Sequence, residues 1–321
     1  MGWIALLVAF VLGLSACNSF GTVRPSQAPA SPGAGPPIAV VTTFSILADI
    51  ARVVGGDRVI VANLVGPGQD THTFQPSPSD AGALARADLT IEHGLGFDVW
   101  LEKLFVASGS RARRIVATAG IEPFRPEHRT DGAAQKVDEH DAEVDPHVWH
   151  DPRLVGQIAL TIAEALSARD PANAATYRER ANRYVTELNQ LDAWIVTRVE
   201  TVPPSRRALV TNHDSLGYFA RRYGFRVVAT VLGGVSTEAS EPSAAAVAEV
   251  IRDIRSAAVP AIFAENVSNP RILARVAQEA GVRVAPPLYT DALDAPGGRA
   301  DTYVKMMRYN VDVIVEALAA P

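Results

Sequence analysis

Four side chains stand out by type and placement: His72, His147, His213 and Asp291. Each falls just after a predicted strand, on the edge where open α/β sheets bind ligands. His72 follows the second strand of a first half and His147 lies in the loop after its fourth. His213 directly follows the first strand of a second half, and Asp291 follows its fourth. Three imidazoles and a carboxylate suit a borderline-soft divalent ion, with zinc approached at roughly 2.0–2.1 Å by nitrogen. No HxxxH or CxxC spacing strengthens the set. Taken singly, a histidine is more often a surface or hydrogen-bonded core residue, so residue types and positions leave both readings open.

The elements that must position these groups alternate strand and helix. Ile38–Phe44, Arg58–Val65, Leu89–Glu92 and Arg114–Ala117 are apolar strand runs, with helices opening at Ser45, at Ser77-Pro78 and at Asp98. A second series has strands at Arg207–Thr211, Arg226–Val231, Ala261–Ala264 and Val282–Ala285. Its helices run over Leu216–Tyr223 and Ala244–Ser256, from Asn269-Pro270 to Gly281, and from Asp301 to Leu318. Repeated βα units predict an α/β protein of two lobes, each a four-stranded, mainly parallel sheet covered by helices. Residues 173–200 contain neither Gly nor Pro, and Tyr177, Tyr184, Leu188, Leu191 and Ile195 recur at helical spacing. One long stiff helix is expected there, joining a lobe of residues 38–172 to one of residues 201–321.

The amino-terminal segment carries a different signal. The apolar run Trp3–Leu14 is too short to span a membrane but has the length of a signal-peptide apolar region. Leu14-Ser15-Ala16-Cys17 looks like a bacterial lipobox, so residues 1–17 are read as a lipoprotein signal with Cys17 the lipidated position. No Lys or Arg precedes the run, which departs from the usual pattern. Residues 18–37, rich in Pro, Ser, Gly and Ala, read as a flexible tether. Cys17 is the only cysteine, which excludes a disulfide framework and a cysteine metal site within the chain. A net charge of −5 over 321 residues offers no basic field for nucleic acid, and a monomer is expected.

The wider motifs are Gly68-Gln69-Asp70-Thr71-His72-Thr73-Phe74-Gln75-Pro76-Ser77-Pro78-Ser79-Asp80, Asp145-Pro146-His147-Val148-Trp149 and Asn212-His213-Asp214-Ser215-Leu216-Gly217-Tyr218-Phe219. They are followed by Tyr289-Thr290-Asp291-Ala292-Leu293 and Tyr303-Val304-Lys305-Met306-Met307-Arg308-Tyr309-Asn310. In this order the chain resembles the zinc- and manganese-binding receptor lipoproteins of ABC importers, the ZnuA/TroA-like cluster A-I family, over nearly all of residues 38–318. The resemblance implies a non-enzymatic receptor on the extracytoplasmic face of the membrane. It would hold a divalent ion through His72, His147, His213 and Asp291 and deliver it to a membrane permease. The variable ligand of the family falls at His213, where manganese-type members tend to carry Glu. The imidazole therefore points to Zn2+, with Mn2+ the alternative.

Three features depart from the family pattern. Thr71 stands where Pro is usual, and His93 and His150 occupy positions expected to hold other residues. Either histidine could orient a ligand; the commoner role is a solvated or locally capped side chain. Residues 118–144 read as a long loop, acidic in its later half and carrying His128 and His140, which is either ion-collecting or simply solvated. Asp88, Glu92, Asp98, Glu238, Glu241 and Glu265 lie near strand ends or helix starts, where acids serve as caps, and are not taken as ligands. A zinc hydrolase is the competing class. It needs an open metal position, whereas four protein ligands close a tetrahedron.

Overall fold

A computed structural model describes residues 35–125, 144–238 and 242–319. The lipobox with Cys17, most of the tether, His128, His140 and Glu241 lie outside the described residues.

In chain order the first half contains β1 (Ile38–Phe44), α1 (Ser45–Gly55), β2 (Val59–Val65), α2 (Pro78–Ala85), β3 (Leu89–Glu92), α3 (Leu101–Ser108) and β4 (Arg113–Val116). Then come α4 (Pro152–Arg169) and α5 (Ala174–Val199). The second half contains β5 (Ala208–Thr211), α6 (Gly217–Tyr223), β6 (Arg226–Thr230), α7 (Ala244–Ser256), β7 (Ala261–Glu265), α8 (Pro270–Ala280), β8 (Arg283–Leu288) and α9 (Tyr303–Ala319).

The first sheet is parallel throughout, in the order β2-β1-β3-β4. β1 is central and buried over almost its whole length, as a mostly apolar, β-branched run is when helices cover both faces. α1 leaves β1 without a loop. It buries Ile46, Leu47, Ile50, Ala51 and Val54, and its chain is turned out by Gly56 at φ 56°. Only a residue without Cβ takes that conformation without strain. α2 opens on a capping box in which Ser77 and Asp80 satisfy each other's backbone donors, with Pro78 in the first turn.

The second lobe also carries parallel strands under helices. Its ladder forms as two parallel pairs, β5–β6 and β7–β8, with β5 lying beside β7. Each pair shifts register once. In β8 the cause is local: Pro286 and Pro287 have no N–H to give the ladder.

α5 spans 26 residues, about 39 Å at 1.5 Å per residue. Its buried stripe is Tyr177, Ala181, Tyr184, Leu188, Leu191, Ile195 and Val199, and it packs on α4, α1 and α9. Those side chains belong to one apolar cluster running from Ile38 in β1 to Leu318 in α9. The lobes therefore share a core along the helix instead of meeting at a hinge. α4 was not assigned from the sequence. It is capped by Asp151, starts on Pro152 and buries Val155, Ile158, Ala159, Ile162, Ala163 and Leu166 at helical spacing. That Asp-Pro opening and apolar periodicity were its legible signal.

Candidate metal centre

The ends of four elements bring the four residues together. His72 lies in the loop between β2 and α2, where Asp70 Oδ1 accepts its backbone N–H at 2.9 Å. Asp70 Oδ2 accepts from the Thr237 hydroxyl of the opposite lobe at 2.5 Å. Thr71, the departure from Pro, is fully buried, and its carbonyl accepts from Trp100 Nε1 at 3.1 Å, so the loop is tied down without the proline. His147 opens the short turn before α4. Asp145 Oδ1 accepts its backbone N–H at 2.8 Å and lies 2.7 Å from its Nδ1.

His213 leaves the end of β5. Glu265, the last residue of β7, accepts its backbone N–H at 2.9 Å, and the other Glu265 oxygen is 2.5 Å from His213 Nδ1. The Thr290 hydroxyl donates to that same oxygen at 3.0 Å. Asp291 follows Thr290 just past β8. His213 and Asp291 stand just past strand ends, while the loops carrying His72 and His147 are held by Asp70 and Asp145.

The facing atoms are close. His213 Nε2 is 3.3 Å from His147 Nε2 and 3.1 Å from Asp291 Oδ2. His72 Nε2 is 3.6 Å from Asp291 Oδ2, and His147 Nε2 is 3.7 Å from Asp291 Oδ1. One donor atom from each of the four residues lies within 4.8 Å of every other. A tetrahedron with ligands about 2.0–2.1 Å from its centre has edges of about 3.3–3.4 Å. The observed separations bracket that value before any ion draws them in.

Burial makes the arrangement unsatisfied without a cation. His147, His213 and Asp291 are fully buried and the His72 side chain is 7% exposed. His72 Nε2 and both Asp291 oxygens have no hydrogen-bond donor among the described residues unless His213 Nε2, 3.1 Å from Asp291 Oδ2, carries a proton, a costly state for buried polar atoms. Asp145 and Glu265 beside the Nδ1 atoms of His147 and His213 favour the tautomers whose Nε2 lone pairs face inward. Two bare lone pairs 3.3 Å apart repel unless a cation or a proton lies between them.

The titration behaviour follows. Burial pushes His147 well below the ordinary histidine range and also lowers His72, although Asp291 opposes both shifts. Burial acts on His213 in the same sense, but the Glu265 and Asp291 carboxylates outweigh it and raise His213 well above its usual value. Asp291, though buried, is held below the carboxylate range by His213, His147 and His72. Burial pushes Asp145 upward. A proton on His213 thus stands where a metal cation would neutralise Asp291. A cavity of about 390 Å³, lined by residues including His72, Phe97, Val235 and Glu238, opens beside His72, the one of the four that solvent reaches.

Sequence reasoning did not give Glu265, Asp145 or Thr290 a role at this site. In the sequence Glu265 is only an acid at a strand end, where capping is the common use. Its pairing with His213 crosses from β7 to β5, a contact invisible to local spacing. His93 and His150 are both buried, at 1% exposure each, so neither is a solvated side chain.

Parallel sheets under helices, a strut of one long helix and a buried His3Asp cluster at the strand ends define a class of two-lobed binding proteins. Residues 40–317 match the family described as zinc-uptake complex component A, periplasmic (ZnuA), and the chain belongs to that family. It is 34% identical over 285 residues to the zinc-binding protein TroA of Treponema pallidum, covering 87% of this chain and 88% of that one. It is 31% identical over 285 residues to the manganese-binding lipoprotein MntA of Halalkalibacterium halodurans, covering 89% and 90%. The solved structure of periplasmic zinc-binding TroA from Treponema pallidum superposes with a TM-score of 0.79 at 31% identity, over 89% of this chain and all of that one.

Proposed function

We propose that this protein is the extracytoplasmic receptor of an ABC importer that captures a zinc ion between its lobes through His72, His147, His213 and Asp291. The ion is cargo, passed on to the membrane permease. Lipid on Cys17 and the segment of residues 18–37 hold the receptor at the membrane. The observation that carries this reading is the set of inward-facing, unpartnered atoms: His72 Nε2 and both oxygens of Asp291, set against the close Nε2 pair of His147 and His213. A single small cation satisfies all of them at once.

Zinc is favoured because imidazole is a good zinc ligand and a filled d shell accepts four ligands without geometric penalty. Manganese prefers oxygen-rich sites of higher coordination and stands lowest in the Irving–Williams order. The manganese reading rests on the likeness to MntA, whose name assigns it that metal. Four side chains filling the tetrahedron leave no position for the water that a zinc hydrolase activates, which supports a receptor over an enzyme. Competitive titration of the metal-free protein with Zn2+ and Mn2+, followed by metal uptake in cells lacking the protein, tests the assignment. Tight zinc and weak manganese binding are expected; preferential manganese binding contradicts it.

A further inference from the structure

His93 is a buried titratable group close to this chemistry that the proposed function leaves without a task. It sits just past β3 with its backbone clamped. Its N–H donates to Asp98 Oδ2 at 2.6 Å and its carbonyl accepts from the Thr118 hydroxyl at 2.7 Å. Its ring lies edge-on to Phe44, Phe97 and Trp149, with centroids 5.5, 5.4 and 5.0 Å away. From this aromatic pocket Nε2 reaches the Pro146 carbonyl at 2.7 Å. A carbonyl can only accept, so Nε2 carries the proton and Nδ1 is bare. Nδ1 has no hydrogen-bond partner among the described residues. A second proton would bury a charge with no acceptor for its N–H, and burial accordingly lowers His93 to about 4. The ring is a neutral, fixed donor at neutral pH.

Pro146 immediately precedes His147. Trp149, packed on the His93 ring, uses its Nε1 in the same way, donating at 2.7 Å to the carbonyl of Thr290, which immediately precedes Asp291. The two side chains of one stack thus pin the backbone just ahead of two of the four converging groups. Asp145 holds the His147 backbone N–H and faces its Nδ1; His93 holds the other side of the same peptide link, the Pro146 carbonyl.

We propose that His93 is a positioning residue: by holding the Pro146 carbonyl it sets the depth at which His147 Nε2 meets the ion. This rests on the reading of His72, His147, His213 and Asp291 as the metal centre. Partners bonded directly to a metal ligand change affinity by about 10–100-fold, which bounds the effect of a hold on the residue next to it.

The test compares His93→Phe, which keeps the ring packing and removes the donor, with His93→Gln, which keeps an N–H at similar reach. Zinc affinity, zinc dissociation into a chelator, the visible spectrum of the Co2+-loaded protein and the melting temperature of the metal-free protein are measured for each. His93→Phe is expected to weaken zinc, by at most about 10–100-fold, and to alter the cobalt bands, and His93→Gln to restore most of both. Unchanged zinc binding in His93→Phe overturns the proposal. So do equal losses in the two variants with an unaltered cobalt spectrum, which mark a purely structural role. His147→Ala is run alongside. If it abolishes tight binding while His93→Phe does not weaken it, the positioning role alone fails; if tight binding survives His147→Ala, the metal-centre reading fails and this inference with it.

Discussion

Glu265 holds His213 twice, accepting its backbone N–H at 2.9 Å with one oxygen and lying 2.5 Å from its Nδ1 with the other. The carboxylate fixes both the position of the residue and the nitrogen that faces the centre. Glu265→Gln keeps an acceptor for the backbone and removes the charge. Zinc affinity measured at pH 8, where proton competition is weakest, is expected to fall about 10–100-fold. Calorimetric titration checks this, and an unchanged affinity would show that Glu265 does not tune the ring.

Proton release gives a second prediction. Glu265 and Asp291 raise His213 against the opposing effect of burial, so in the metal-free protein that ring holds its proton to higher pH than an ordinary histidine, into the neutral range. His72 and His147 are lowered by burial and already neutral there. Zinc must therefore expel about one proton, from His213, and zinc affinity falls as pH drops through the neutral range. Below the ordinary histidine value the other two rings begin to compete as well. Titration in two buffers of different ionisation enthalpy counts the protons. A pH-independent affinity between pH 6 and 8 would contradict the assignment.

These two residues also mark what the sequence could tell. His213 was legible because it directly follows an apolar β-branched run, and strand ends are where α/β sheets bind. Glu265 was not, because its role depends on β7 lying beside β5, a pairing that no local pattern encodes. α5 is legible from a long apolar periodicity without Gly or Pro, whereas α4 carries Gly156 within an equally periodic buried face and follows residues that read as a long loop, which blurs its start. His93 illustrates a third limit. Residue type alone favours a solvated or locally capped imidazole, and the burial of its ring among Phe44, Phe97 and Trp149 excludes the solvated one.

The shared core predicts small motions. α5 has no Gly or Pro, and its buried stripe from Tyr177 to Val199 belongs to the cluster that includes both lobes. Trp149 donating to the Thr290 carbonyl, Tyr303 donating to the Trp149 carbonyl and Leu293 donating to Ser45 Oγ tie the lobes at the cleft. Binding should move the His72 loop, whose side chain is the exposed one of the four, and leave the lobe orientation nearly fixed. Solution scattering and paired-label distances on metal-free and zinc-loaded protein check this. A large inter-lobe rotation would contradict it.

The anchor is tested separately from the site. Cys17 follows Leu14-Ser15-Ala16, and each buried methylene of an attached lipid adds about 0.8 kcal/mol of membrane affinity. Cys17→Ala is expected to release the protein from membranes while purified protein binds zinc as before. Membrane association that persists in the variant would remove the lipid anchor from the account.

The most direct test of the central claim is competitive titration of wild type and His213→Glu with Zn2+ and Mn2+. Three imidazoles and Asp291 should bind zinc tightly and manganese far more weakly. Replacing the one imidazole with a carboxylate should weaken zinc and narrow the gap. Preferential manganese binding by the wild type, or zinc binding unaffected by loss of His213, would contradict a zinc site built on these four residues.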